Sequence, residues 1–177
     1  MIVVLLILSV VAGVFLGKYF GQKEKFSKNL LILSAGFLIT ICLNEVFPEV
    51  YHHHSEFGIN LGIFVIGGVL LQMILEALTK GFEHGHFHHH SESNILPMAL
   101  MVGLFIHAFI EGIPLANEKN PFSPYLMGIV FHNLPISFIL GAFLFNRKGS
   151  KVSYPSMLIV ALFALASPFG MFLGNYF

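Results

Sequence analysis

Six stretches of this chain, 2–20, 30–47, 59–78, 95–116, 125–145 and 154–177, are apolar enough to lie in a bilayer. A spanning helix needs about 20 mostly apolar residues, so the pattern points to an all-α polytopic bundle forming one transmembrane domain. Only 10% of residues are charged and 56% are hydrophobic, whereas a soluble domain carries roughly 25% charge. The membrane class follows before any motif is read. Glycines recur through the stretches, among them Gly13, Gly17, Gly36, Gly67, Gly68, Gly141 and Gly170. Small residues let helices approach closely in lipid, although any one of them is ordinary membrane composition.

The basic residues set an orientation. Lys18, Lys23, Lys25 and Lys28 flank the first connection, Lys80 lies in the third, and Arg147, Lys148 and Lys151 lie in the fifth. Only Lys119 falls in an even-numbered connection. By the positive-inside rule the odd connections face the cytoplasm, and six spans then put both termini outside. No positive charge precedes the first stretch, so it reads as a span and not as a secretory signal. The protein is expected in the plasma membrane, the inner one if the source is bacterial, with lipid as its surroundings. The formal net charge of zero argues against nucleic acid as a partner. The single cysteine, Cys42, excludes an internal disulfide and a thiolate zinc site. Tyr19, Tyr51, Tyr125, Tyr154 and Tyr176 stand at segment ends, where interfacial aromatics belong.

Against that apolar background a few polar residues stand out. His107 and Glu111 share a helix face at i,i+4 within the fourth stretch. Ionisable groups at membrane depth cost about 3 kcal/mol on insertion scales and usually mark a pathway or a site. An imidazole and a carboxylate together suit Zn²⁺ and related first-row ions. The competing reading is a pair that satisfies itself inside the bundle. Pro114 follows and removes the donor for the Ile110 carbonyl. The fifth stretch carries His132, Asn133 and Pro135, with His132 a further candidate ligand and Asn133 a weaker oxygen donor. The second stretch ends in NEVFPE, where Glu45 and Glu49 form an acidic pair facing outward and Pro48 frees the Asn44 carbonyl. Such a pair draws cations by its local field.

Eight of the ten histidines lie outside the spans. His52, His53 and His54 face outside, and His84, His86, His88, His89 and His90 crowd the cytoplasmic connection 79–94. Imidazole-rich tracts bind transition metals loosely without a packed core, which fits capture or buffering.

Taken in order, these motifs resemble the ZIP family of divalent-metal transporters. HAFIEG at 107–112 is similar to the family's HNxxEG on helix four, and HNLPI at 132–136 to HEIPHE or QDIPEG on helix five. EVFPE at 45–49 resembles HLLPE of helix two, MILEALTKGFEHGHFHHH resembles the end of helix three with its histidine-rich loop, and SPFGMFLG at 167–174 resembles helix six. The resemblance implies transport of Zn²⁺, or of Fe²⁺, Mn²⁺ or Cd²⁺, into the cytoplasm, with no prosthetic group and no enzymatic activity. His107, Glu111 and His132 match its metal-binding positions. Ala108, Asn133, Ile136 and Ser167 replace ligands of the second ion in binuclear members, so a single primary site is expected. The family has eight spans and this chain matches six, as a truncation or a short variant. Unpacked faces would then call for a partner chain, a homodimer being one form. Protonated imidazole cannot ligate, so acid should weaken binding. Two rival functions are an intramembrane metal-dependent hydrolase, which lacks an HExxH signature, and a metal sensor or store built on the histidine loops.

Overall fold

The computed structural model describes residues 1–21, 23–53, 61–79, 98–145 and 154–176. The histidine-rich segment with His84, His86, His88, His89 and His90 lies outside the described residues, as do His54, Lys80, Arg147, Lys148 and Lys151. Among the described residues every regular element is helical and no strand occurs. Helix α1 is Ile2–Phe20 and α2 is Glu24–Ile41. A π-helical turn, Cys42–Val46, joins α2 to α3, Phe47–His53. Next come α4, Leu61–Thr79, and α5, Met98–Gly112, which tightens into a 3₁₀ turn, Ile113–Asn117. Pro124–Phe145 forms α6 and Tyr154–Gly174 forms α7.

Among the described residues, four helical stretches are long and apolar enough to cross a membrane: Ile2–Phe20, Lys25–His52, Pro124–Phe145 and Tyr154–Gly174. Gly62–Ala77 and Val102–Asn117 are shorter apolar helices. The architecture is an all-α bundle of membrane type.

Prolines account for the irregular turns. Pro48 has no N–H, and its ring would collide with the Asn44 carbonyl in a regular α-helix. The chain widens one turn earlier, where the Phe47 N–H donates to the Cys42 carbonyl five residues back. Pro114 acts in the opposite sense, and the end of α5 winds tighter. The 15 residues of α5 rise about 22 Å, and the 5 of the 3₁₀ turn add about 10 Å. Together they reach the roughly 30 Å of a hydrocarbon core.

Backbone proximity, which glycine permits, decides which helices meet. The most extensive contact runs between α1 and α6, and α5 packs along α7. On α1, a Cβ at Gly13 would strike the Ser137 side chain, and one at Gly17 would fall on the Phe138 carbonyl. Gly141 of α6 returns the fit against the Val14 backbone. Gly112 of α5 lies on the Ser167 carbonyl, and Gly170 of α7 lies on the Phe109 carbonyl. By contrast, Gly36, Gly67 and Gly68 face open space. Helix α6 is therefore central, with Leu126, Ile129, Ile136, Phe138, Ile139 and Leu140 all buried. Helix α4 is peripheral: Ile63, Phe64, Ile66, Val69 and Ile74 are exposed, and Leu75 is buried.

Candidate metal centre

Three side chains from two helices converge on one point. On α5, His107 and Glu111 stand one turn apart, with His107 Nε2 3.2 Å from Glu111 Oε1. From α6, His132 brings its Nε2 to 3.6 Å from the same oxygen and to 3.4 Å from His107 Nε2. Two ligands each about 2.0–2.1 Å from a zinc ion at the tetrahedral angle lie about 3.3 Å apart. The three edges therefore approximate one face of a zinc coordination tetrahedron. Among the described residues this is the group of His, Cys, Asp and Glu whose donor atoms could share an ion. The three side chains keep 12%, 19% and 19% of their surface, in the order His107, Glu111, His132. That is shielded enough to strengthen electrostatic attraction, yet open to an arriving ion.

The carboxylate is not satisfied by protein alone. Glu111 Oε2 is buried with no hydrogen-bond partner among the described residues. Most buried polar atoms are paired, and an orphan asks for an explanation such as a bound ion or a functional role. Asn133, at 1% exposure, is also buried on α6, and among the described residues its Oδ1 has no hydrogen-bond partner either. Glu45 lies in the π-helical turn and Glu49 in α3, and both are exposed. They stand outside the three-residue group.

Two supporting residues were not singled out as site residues from the sequence. Ser34 of α2 places its Oγ 3.3 Å from His132 Nδ1, and it is buried at 6% exposure. Tyr125, expected only as an interfacial aromatic, donates its hydroxyl to the Glu111 backbone carbonyl at 3.2 Å. In a 3₁₀ turn that carbonyl would accept from residue 114, which is proline and has no N–H. A proline followed by a tyrosine at the next helix start is a faint signal, and a lone serine in an apolar helix is none. The connection between α5 and α6 is built by side chains: the Asn120 N–H donates to Glu118 Oε1 at 2.7 Å, and the Phe122 N–H to Asn120 Oδ1 at 3.0 Å. Hydrogen bonds from the Ser123 hydroxyl and the Asn120 N–H hold the Glu118 carboxyl below its ordinary range.

A search of curated proteins and a search of solved structures each return no match. The family model described as ZIP Zinc transporter matches residues 83–176, just over half of the chain. His107, Glu111 and His132 fall inside that stretch, and Glu45 and Glu49 fall before it. On this match the chain belongs to the ZIP zinc transporter family.

Proposed function

We propose that this protein carries Zn²⁺, with Fe²⁺, Mn²⁺ and Cd²⁺ as alternative cargo, across a membrane into the cytoplasm. The observation that carries the reading is the triangle of His107 Nε2, Glu111 Oε1 and His132 Nε2, with edges of 3.2, 3.4 and 3.6 Å. Its donor types suit a borderline first-row ion. Family membership supplies the transport of a divalent metal. In this scheme Glu45 and Glu49 draw the ion in from outside, and the three convergent residues bind it. Asn133, whose buried Oδ1 has no partner among the described residues, is an auxiliary oxygen donor, and the histidine-rich connection receives the ion on the cytoplasmic side.

The test is radioactive zinc uptake into proteoliposomes at equal protein content. The parent chain should accumulate zinc, while the His107→Ala and Glu111→Ala variants should fall to the level of protein-free vesicles. Uptake unchanged in both variants would place the transport site elsewhere.

A further inference from the structure

The hydroxyls of the helices mostly turn back on their own backbone. Ser9 donates to the Leu6 carbonyl at 2.8 Å, Thr40 to the Gly36 carbonyl at 2.8 Å, and Ser137 to the Asn133 carbonyl. That is the common fate of serine and threonine inside a helix. Ser34 differs. Its Oγ reaches across from α2 to His132 Nδ1 on α6, at 3.3 Å and between residues 98 apart in sequence. The contact brings a third helix to a centre whose ligands come from α5 and α6.

We propose that Ser34 is the positioning residue of this centre, its hydroxyl holding His132 Nδ1 so that Nε2 is the nitrogen presented to the ion. A neutral imidazole carries one N–H and one lone pair, and a metal takes the lone pair. The triangle requires that lone pair on Nε2, and so the proton on Nδ1. An acceptor at Nδ1 favours that tautomer and fixes the ring plane, as outer partners of metal-bound histidines do. A hydroxyl has a second property that a carbonyl lacks, since it can donate as well as accept. Without an ion, the Ser34 hydroxyl can donate to Nδ1 while the Nε2–H points to Glu111 Oε1 or His107 Nε2. With an ion, the Nδ1–H donates to Ser34 Oγ. The ring stays neutral and in place in both arrangements. Only the nitrogen that holds its single proton differs.

The inference rests on the reading of His107, Glu111 and His132 as the ion site, and the experiment separates the two. The full chain is placed in lipid nanodiscs with ¹⁵N-labelled histidine, and the His132 ring nitrogens are assigned by their loss in His132→Ala. Zn²⁺ is then titrated and read at those two nitrogens, so ions taken by other histidines do not enter the curve. In the parent, zinc should shift Nε2 and move the single proton to Nδ1. Ser34→Ala should raise the zinc midpoint by roughly 10–100-fold and leave the metal-free ring a mixture of tautomers. The isosteric pair Ser34→Thr and Ser34→Val controls for packing: Thr should keep the parent midpoint and tautomer, and Val should lose both. Equal midpoints in the parent, Ala and Val proteins overturn the role of Ser34 and leave the ion site standing. Equal loss in Thr and Val also overturns it, since the hydroxyl would then be irrelevant. A parent whose His132 nitrogens ignore zinc overturns the ion site itself, and the role of Ser34 with it.

Discussion

Glu111 places one carboxylate oxygen between two imidazoles and leaves the other buried without a hydrogen-bond partner among the described residues. An unmade hydrogen bond of this kind costs about 1–3 kcal/mol, and a bound cation would remove the cost. Stability and function should therefore oppose each other at this position. Glu111→Met is expected to raise the stability of the metal-free protein by about 1 kcal/mol, because His107 and His132, 3.4 Å apart, can then pair with each other. The same change should abolish stabilisation by added zinc. Thermal unfolding in detergent, with and without Zn²⁺, reads both effects, and a lower metal-free midpoint would contradict the account. His107, Glu111 and His132 were legible in the sequence because polar groups at membrane depth are costly enough to need a reason. Ser34 was not legible. Its composition and local setting match those of Ser9 and Thr40, and only the approach of α6 gives its hydroxyl a different partner.

At the level of elements, prolines mark the irregular turns but do not say which way each turn adjusts. Pro48 lies beside a widened turn and Pro114 inside a tightened one, while Pro135 and Pro168 sit within continuous helices. The difference depends on what the neighbouring helix supplies, such as the Tyr125 hydroxyl at the Glu111 carbonyl. Glycine follows the same logic. Gly17 and Gly36 are alike in sequence terms, yet one touches the Phe138 backbone and the other meets no neighbour among the described residues. Gly17→Ala and Gly170→Ala should each destabilise the bundle by about 1–3 kcal/mol through overpacking. Gly36→Ala should be neutral or stabilising by up to about 1 kcal/mol, since alanine is the better helix former. Reversible unfolding in mixed micelles compares the three, and equal effects at Gly17 and Gly36 would refute the packing argument. Loss of α1–α6 contact should also loosen the centre, because α6 carries His132.

Across the whole molecule, burial is uneven. Helix α6 is enclosed by neighbours, whereas α2 and α4 present Ile32, Leu33, Ile39, Phe64, Ile66 and Ile74 to the surroundings. In water such surfaces would associate, while in a bilayer they meet hydrocarbon. Orientation is a property of this scale and is open to direct test. In a Cys42→Ser background, Lys119→Cys should react with a membrane-impermeant thiol reagent added outside intact cells. Lys25→Cys should react only after the membrane is permeabilised. The reverse pattern would invert the proposed direction of the acidic Glu45–Glu49 pair.

By itself the sequence determined that this chain is a helical membrane protein of the ZIP kind and which polar residues in its spans call for explanation. Those conclusions follow from local quantities, namely the length of apolar runs, the cost of charge in lipid and the spacing of side chains along one helix. Tertiary structure alone decided that His132 of α6 meets His107 and Glu111 of α5 with the edge lengths of a zinc tetrahedron. It also decided that the Ser34 hydroxyl meets His132 Nδ1 and that Gly13 and Gly17 pack on α6, where Gly36 meets no neighbour among the described residues. These depend on how far apart, and in what rotation, two helices come to rest. That is set by backbone contact across many residues at once, and no single residue type announces it.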